Sequence, residues 1–512
     1  MAGKLAERLA GKPVAKLEIE RKYELPAGFA LPVLTGLGGV VSVGAADDQR
    51  LDAVYYDTPQ LHLARGRVTL RRRTGGNDAG WHLKRPTGGE RSELQLPASA
   101  KQTRPPAAVA DQVRALTRGA PLEPVARIRT HRVERALLAD DGSTVALLAD
   151  DEVTTESLHG TRPERQWHEL EIELVDGPRE ALDRLDAALR AAGARPAKSP
   201  SKLAQALGDD YPSAPQGTPA GSRGRRALAA YVQAQRDALV EQDPPVRDGD
   251  AEAVHKMRVA TRRLRSTLRS FASPLPDKYE KSEKSGGNGL GRLHDEIKWL
   301  TELLGAVRDT DVMADRLAGL LAAEPPALVI GPVAHRITTL LAARAAGARK
   351  RLIAGLNGER YTDLLKEIDA LVAAVSTPGR ISRDRLRGLA RKALRRAHTK
   401  LSAAGDDDEL RHEARKAFKR ARYAVELLEP VDGRRATKLA DRLTALQDVL
   451  GNHQDAIVTG ELLRECALKA HTAGENAFTY GLLHARQQDR GEADLGDLPR
   501  TRRKAERAAR WL

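Results

Sequence analysis

The chain contains few aromatic residues and a single cysteine. Phe, Trp and Tyr make up only 3% of its 512 residues, whereas proteins that bind single-stranded nucleic acid usually stack bases on such rings. Because the sequence also lacks a recognisable nucleic-acid-binding motif, it argues against nucleic acid as the partner. The single cysteine, Cys466, excludes an intramolecular disulfide framework and is typical of a reducing cytoplasm.

Long apolar runs are absent as well. The N-terminal segment MAGKLAERLAGKPVAKL has no apolar core of the kind found in secretory signals, and no run of about 18 apolar residues occurs. We therefore expect a cytoplasmic protein without a membrane span. What the chain has in excess is positive charge: 85 Lys and Arg against 70 Asp and Glu give a net charge of +15. Such an excess favours an anionic partner, which could be nucleic acid, anionic lipid or polyphosphate.

The chain is too long for one compact core, and its pattern changes near the middle. Residues 1–207 are mostly strand-like, whereas 223–512 show the 3.6-residue periodicity of Ala-, Leu- and Arg-rich helices. Between them, 208-GDDYPSAPQGTPAGS-222 is predicted to be a flexible linker. The sequence therefore predicts an α+β protein: an N-terminal domain of antiparallel strands and a C-terminal all-α domain.

The first half places charged residues on alternating positions of several strands. In 16-KLEIERKYEL-25, Glu18, Glu20 and Lys22 share one face because successive strand side chains point to opposite faces. For any single strand, a solvated outer face explains this equally well. However, carboxylates concentrate on the first and last strands, while Arg and Lys dominate those between them. A closed antiparallel barrel would turn all these faces inward around a polar lumen.

Such a lumen has a defined chemistry. Clustered carboxylates without clustered Cys or His suit Mg²⁺ or Mn²⁺, and converging Arg and Lys suit phosphate oxygens. Together they predict a site for a metal-chelated oligophosphate.

The same residues resemble the CYTH domain of the triphosphate tunnel metalloenzymes over roughly 16–207. Glu18-x-Glu20-x-Lys22 is similar to the ExExK signature of that family, and the later motifs follow in order: 55-YYDT-58, 130-THR-132, 149-ADDEV-153 and 201-SKL-203, with basic and acidic residues between them. The resemblance implies an eight-stranded antiparallel tunnel with flanking helices that uses a divalent metal. The positions 150/151 and 129/132 leave open which residue of each pair points inward.

Site residues follow from this resemblance. It implies that the catalytic residues are Glu18, Glu20, Lys22, Glu171 and Glu173. The implied metal ligands are Glu18, Glu20, Asp151, Glu171 and Glu173. The implied substrate-binding residues are Lys22, Arg71, Arg73, Lys84, Arg91, Arg132 and Lys202.

The helical half contains a basic motif twice, in parts spanning about 223–360 and 380–512. His255-x-x-Arg258-x-x-x-Arg262-Arg263 matches a second copy that begins at His412. Helical spacing places these residues on one stripe, although a solvated Arg-rich face is the alternative. The residues predicted to bind a long polyanion, which the resemblance described next identifies as polyphosphate, are His255, Arg258, Arg262, Arg265, Arg269, His412, Arg415, Lys416, Lys419, Arg420 and Arg422.

With the half-motifs 304-LGAVRDTDV-312 and 446-LQDVLGNHQDA-456, this half resembles the CHAD domain, a conserved-histidine helical module. The resemblance implies a duplicated helical bundle with pseudo-two-fold symmetry that binds inorganic polyphosphate. Asp309, Asp311 and Asp455 either fix the Arg rows by ion pairs, which we prefer, or bind metal.

The sequence thus predicts a metal-dependent inorganic triphosphatase that acts on triphosphate or short-chain polyphosphate and carries a polyphosphate-binding domain. Thiamine triphosphate and ATP remain open as substrates. The alternative is a non-catalytic polyphosphate-binding scaffold. Either protein would be cytoplasmic and could associate with polyphosphate granules.

Overall fold

The computed structural model describes residues 14–87, 90–99, 102–160, 163–199, 201–212, 221–271 and 289–512, with the backbone alone at 14–18, 87 and 90–91. The chain divides into two compact units, Met1–Gln216 and Gly217–Leu512. Within the predicted linker, Gly208–Asp210 forms a single 3₁₀ turn, and 213–220 lie outside the described residues.

The first unit is built on one antiparallel sheet. Its strands are β1 Val14–Glu18, β2 Glu20–Glu24, β3 Ser42–Val43, β4 Asp47–Asp57, β5 Thr69–Thr74, β6 Gly80–Thr87, β7 Glu90–Leu96, β8 Glu123–Leu138, β9 Thr144–Ser157, β10 Arg165–Leu174 and β11 Arg195–Pro196. Its helices are α1 His62–Arg65, α2 Ala107–Thr117, α3 Arg179–Ala191 and α4 Lys202–Leu207.

The predicted number of eight strands is wrong. Ten strands follow one another in the order β1-β7-β6-β5-β4-β8-β9-β10-β2-β11, and β3 pairs with β8 beside them. The excess has two causes: β3 and β11 have only two residues each, and one extended segment is split at Ile19 into β1 and β2. Because β1 pairs with β7 and β2 pairs with β10, this segment joins the two ends of the order.

Apolar residues cover the outer face of the sheet, so the polar residues of the same strands are left facing inward. On β10, Leu170 and Ile172 are buried against Leu182 and Leu185 of α3. This alternation follows from the two-residue period of a strand. Helices α2 and α3 therefore pack outside the sheet. Helix α4 instead packs on Tyr55 and Val153, which share the inward faces of Arg71 and Asp151.

The second unit is helical. Its first helices are α5 Arg223–Asp248, α6 Ala251–Ser270, α7 Gly289–Ala322, α8 Val333–Asn357 and α9 Glu359–Ser376. They are followed by α10 Arg383–Ala404, α11 Asp408–Glu426, α12 Glu429–Asp432, α13 Arg434–Thr472, α14 Phe478–Leu495 and α15 Leu498–Ala508. Apart from the one-turn helix α12, each of these two parts contributes five helices in the region that the structure describes.

The two basic motifs lie on the corresponding helices α6 and α11. Each helix begins at an aspartate whose side chain accepts backbone N–H bonds: Asp250 from residues 252 and 253, and Asp407 from residue 410. Such caps fix where the helix starts. The apolar stripe of α6, including Leu264 and Leu268, is buried, which leaves the opposite stripe of cations available for ligands. Among the described residues, no helix has the length and hydropathy needed to cross a membrane.

Candidate functional site

Three carboxylates converge inside the first unit. One oxygen from each of Asp151, Glu169 and Glu171 lies within 4.8 Å of the others. The sheet register explains this convergence, because Glu169 on β10 lies opposite Asp151 on β9. The Trp167 indole N–H donates to Glu169 at 2.6 Å and orients it. An all-carboxylate donor set fits a hard divalent cation such as Mg²⁺ or Mn²⁺.

The Lys202 ammonium lies against all three carboxylates. Its Nζ is 2.9 Å from Asp151 Oδ2, 2.5 Å from Glu169 Oε1 and 2.8 Å from Glu171 Oε1. Lys202 is the first residue of α4, which Ser201 caps by accepting the N–H of residue 204, so the helix start positions the ammonium. Burial alone would lower the pKa of Lys202, but the Glu171, Asp151 and Glu169 carboxylates outweigh it and raise that pKa.

Two further cations link this cluster to the rest of the interior. Arg132 donates to both oxygens of Asp151 at 2.7 Å and to Glu171 Oε2 at 2.8 Å. Lys22 donates to Glu171 and lies 3.3 Å from Glu20 Oε2. Burial opposes the charge of Glu171, but Lys202, Lys22 and Arg132 hold its pKa well below the ordinary value. Burial also opposes the charge of Asp151, but Lys202 and Arg132 lower its pKa. Asp151 and Glu171 are therefore ionised at neutral pH and can bind a metal without first losing protons.

A second group of charges follows on β5, β6 and β7. The Arg71 guanidinium donates to the Tyr55 hydroxyl at 3.3 Å. His82 shares its Nδ1 hydrogen bond with Glu93 Oε1 at 2.8 Å, and Lys84 lies 3.8 Å from the same oxygen. Arg73 pairs with Asp78. The interior therefore places Arg71, Arg73 and Lys84 on β5 and β6, with the Glu93 carboxylate of β7 beside them, and the three converging carboxylates on β9 and β10. Basic groups near a carboxylate cluster are what a metal-chelated oligophosphate would require.

This second group contains buried guanidinium nitrogens that have no hydrogen-bond partner. The Nε atoms of Arg71 and Arg73 are buried without a hydrogen-bond partner. Burial, then repulsion from Arg71 and Arg132, lowers the pKa of Arg73 to about 9. Burial also lowers the pKa of His82 to about 3, so the imidazole is neutral. A buried donor without a hydrogen-bond partner lowers the stability of the folded protein, and a phosphate oxygen could accept a hydrogen bond from each of these donors.

Both positional questions left by the sequence have a geometric answer. Asp151 is fully buried, whereas Asp150 points outward and pairs with His168. Likewise, Arg132 joins the interior cluster, whereas Arg129 is half exposed and lies 3.7 Å from Glu156.

The remaining predicted residues of the first unit divide into two classes. Glu20 on β2 lies opposite Glu173 on β10, and both are half-buried; within the part of the chain that the structure describes, the three-carboxylate cluster does not include them. The side chains of Glu18 and Arg91 lie outside the described residues, although their backbones pair with each other. The cluster member that the sequence prediction missed is Glu169; its signal was its position on the same strand face as Glu171.

In the second unit, α6 and α11 pack together and bring the two basic motifs into one group. Electrostatic repulsion links Arg262 to Arg258 and Arg415, and links Lys419 to all three. The Nε atoms of Arg258 and Arg415 are buried without a partner. We call Arg258, Arg262, Arg415 and Lys419 the central cation group.

Two glycines and two aspartates support this group at equivalent positions. A Cβ atom at Gly305 would lie 3.5 Å from Arg258 Nε, and one at Gly451 would lie 3.1 Å from Arg415 Nη2. The guanidinium groups therefore lie close against the backbone of the facing helices. Four residues further along, Asp309 contacts Arg258 at 2.9 Å and Asp455 contacts Arg415 at 3.8 Å. These contacts favour the structural role for both aspartates over a metal site.

The other predicted basic residues do not form one continuous stripe with this group. Arg265, Arg269 and Arg420 repel one another in a second group, which also includes Arg396; the basic stretch 380–400 was its signal in the sequence. Exposed Lys416 is 2.9 Å from Glu413.

The remaining members of the prediction lie at the edges of the central cation group. The Arg422 guanidinium lies over the Tyr423 ring, 4.8 Å from its centroid. The Nε atom of Arg422 is buried and has no hydrogen-bond partner. Partial desolvation, followed by Lys416 and Arg415, lowers the pKa of His412. Desolvation, followed by Arg308, lowers that of His255. Both imidazoles are therefore neutral at pH 7 in the free protein.

Comparison with known proteins matches this division of the chain. The family model of the CYTH domain matches residues 16–205, and that of the CHAD domain matches residues 230–464. Rv2226 of Mycobacterium tuberculosis strain ATCC 25618 / H37Rv is 38% identical over 527 residues, covering 98% of each chain. MT2285 of strain CDC 1551 / Oshkosh has the same identity and coverage.

Two solved structures are also similar. PptA from Streptomyces chartreusis has a TM-score of 0.45 and 21% identity, covering 55% of this chain and 99% of its own. The PH1819 protein from Pyrococcus horikoshii OT3 has a TM-score of 0.24 and 16% identity, covering 37% of this chain and 96% of its own.

Proposed function

This chain belongs to the proteins that join a CYTH domain to a CHAD domain, and on that premise we propose that it is a metal-dependent inorganic triphosphatase that also binds polyphosphate. The first unit would hydrolyse triphosphate or short-chain polyphosphate inside the closed sheet. The second unit would hold long polyphosphate on its basic helices. Both ligands offer the same repeating phosphoryl groups, so the two activities would serve one substrate class.

The observation that carries the enzymatic proposal is the division of charge inside the sheet. Carboxylates converge at Asp151, Glu169 and Glu171, while buried donors of Arg71 and Arg73 lack partners. A chelated triphosphate satisfies both, because the metal neutralises the carboxylates and the guanidiniums pair with phosphate oxygens.

A divalent metal would be held by Asp151, Glu169 and Glu171, and it would supply charge neutralisation and water activation. Glu18, Glu20 and Glu173 remain proposed members of the wider acidic set. The chain's own cations do the rest: Lys22 and Arg132 hold Glu171 in place, and the Arg71, Arg73 and Lys84 heads face the phosphate oxygens. This arrangement fixes the substrate and stabilises charge that develops on the leaving phosphate.

The test is release of phosphate from tripolyphosphate with Mg²⁺ or Mn²⁺. Asp151→Asn should lower kcat by at least about 100-fold, since even supporting groups of metal sites cost 10–100-fold. Asp150→Asn is the matched control, because the adjacent carboxylate points outward, and it should retain wild-type activity. The melting temperature of each variant excludes unfolding as the cause. Equal rates for Asp151→Asn and wild type would sink the proposal.

A second function is favoured by the Lys202 ammonium, whose Nζ contacts all three carboxylates. If that ion pair persisted with substrate present, no metal would enter and the protein would act as a polyphosphate-binding scaffold. It would then bind tripolyphosphate tightly and leave it intact under every divalent metal tried. The same assay, run beside a binding measurement, separates the two functions.

A further inference from the structure

The central cation group is left with almost no counter-charge. Its outer members, Arg258 and Arg415, contact Asp309 and Asp455. Its inner members are different: in the region that the structure describes, neither Arg262 nor Lys419 lies within ion-pair distance of a carboxylate. Like charges this close cost free energy unless an anion or the loss of a proton relieves them.

The two inner positions are equivalent in the repeats but chemically unequal. Position 262 is arginine, and position 419 is lysine. A guanidinium stays protonated at any physiological pH, whereas a crowded lysine ammonium can lose its proton. The repulsion at the centre of the group can therefore be relieved at Lys419 alone.

We propose that Lys419 makes this centre a proton-coupled phosphoryl subsite: it is neutral in the free protein and takes up one proton when a phosphate group binds between the guanidiniums. The inference rests on the proposed polyphosphate binding and adds its regulation. The proton comes from solvent, and no bond other than the new N–H forms or breaks. The ligand class is any oligophosphate whose internal groups each carry a negative charge.

The largest effects of charge on Lys419 come from three helices. Arg258 and Arg262 face it from α6, Arg415 lies on its own helix α11, and Asp455 acts from α13. Burial, followed by the three guanidiniums, lowers the pKa of Lys419 to about 6, against the opposing effect of Asp455. A bound phosphate would raise this pKa, because opposite charge favours the protonated form.

The affinity for polyphosphate should therefore fall as pH rises. It is highest below the pKa that Lys419 has in the free protein and is lost as pH rises toward the pKa that Lys419 has in the complex. Between the two values, linkage gives a loss of about tenfold per pH unit for one proton. Lys419→Arg keeps a fixed charge in the same place, so its affinity should be nearly independent of pH over that range.

The experiment is isothermal titration of the full chain with long-chain polyphosphate in EDTA, which prevents metal-dependent cleavage. At pH 8, in buffers of different ionisation enthalpy, wild type should take up about one more proton per chain than Lys419→Arg. Any uptake in the first unit is common to both proteins and cancels. Lys469→Arg is the matched control, because it changes an exposed lysine that pairs with Glu465 at 2.8 Å, and it should show the same proton uptake as wild type.

The outcomes separate this inference from the proposed function. If wild type does not bind long polyphosphate at all, the proposed binding function fails. If wild type binds but Lys419→Arg shows the same proton uptake and the same pH slope, polyphosphate binding stands and the role of Lys419 is overturned. Lys419→Met, checked by its melting temperature, should bind weakly at every pH if the site needs the proton.

Discussion

At the scale of single residues, Gly305 and Gly451 occupy equivalent positions but leave different amounts of room. A Cβ atom at Gly451 would lie 3.1 Å from Arg415 Nη2, tighter than ordinary contact, whereas one at Gly305 would lie 3.5 Å from Arg258 Nε. We expect Gly451→Ala to displace the guanidinium and weaken long-polyphosphate binding by about tenfold, since one such contact is worth 1–2 kcal/mol. Titration calorimetry checks this.

Gly305→Ala is the matched control and should bind like wild type. Both substitutions replace glycine within a helix, so both should raise the unfolding free energy by up to about 1 kcal/mol. Weaker binding together with higher stability would separate the displacement of Arg415 from general damage. Equal affinities for the two variants would contradict the contact argument.

Single residues also show which parts of the site could be predicted from the sequence and which could not. Strand alternation predicted that Glu20, Lys22, Arg71 and Arg73 share inward faces, because parity is a local property. It could not choose between Asp150 and Asp151, since a one-residue shift in register exchanges the two faces. Glu169 was missed for a related reason: its nearness to Asp151 comes from pairing of β9 with β10, which no single strand encodes.

At the scale of elements, the periodicity of apolar residues in the sequence predicted the helices and the strand-rich half. It did not predict which residues of different helices contact one another. The basic stripe of α6 runs from residue 255 to residue 269, about 21 Å at 1.5 Å per residue. One helix crossing is shorter than that, so its two ends meet different neighbours. Arg258 and Arg262 join Arg415 and Lys419 of α11 in the central cation group. Arg265 and Arg269 instead meet Arg420, also on α11, and Arg396 of α10.

The short helix α4 gives the element-scale prediction, because it places Lys202 against three buried carboxylates. Lys202→Met should destabilise the metal-free first unit by about 3–5 kcal/mol, since it leaves buried charges unpaired. Mg²⁺ or Mn²⁺ should recover more stability in this variant than in wild type, because the metal replaces the lost counter-charge. Thermal unfolding in EDTA and then with added metal measures both effects.

Exposed Lys198, on the connection that precedes α4, supplies the control: Lys198→Met should change neither quantity.

The pH dependence of the unfolding free energy of the wild-type protein also follows from these contacts. The pKa of Glu171 lies below its ordinary value of 4.5, so its contribution is present above that pH and is lost as pH falls. The raised pKa of Lys202 makes its contribution persist until pH rises above the ordinary lysine value. Metal rescue of equal size in Lys202→Met and wild type would disprove the replacement.

At the scale of the whole molecule, the net charge of +15 predicts that the affinity for a polyanion depends on salt concentration. Binding of a polyanion releases counterions, so the logarithm of the affinity should fall linearly with the logarithm of salt concentration. Each cation that contacts a phosphate adds about one to that slope. The double variant Arg258→Ala, Arg415→Ala should therefore lower the slope for long polyphosphate by about 2, measured in EDTA at fixed pH.

The control keeps the change in net charge but moves it away from the central cation group. Arg344 pairs with Glu465 at 2.6 Å on α8 and α13, and Arg360 pairs with Glu296 at 2.6 Å. Arg344→Ala, Arg360→Ala removes the same two charges, yet the slope should stay at the wild-type value because neither side chain contacts the ligand. If both double variants lowered the slope equally, binding would depend on total charge and not on the geometry at α6 and α11.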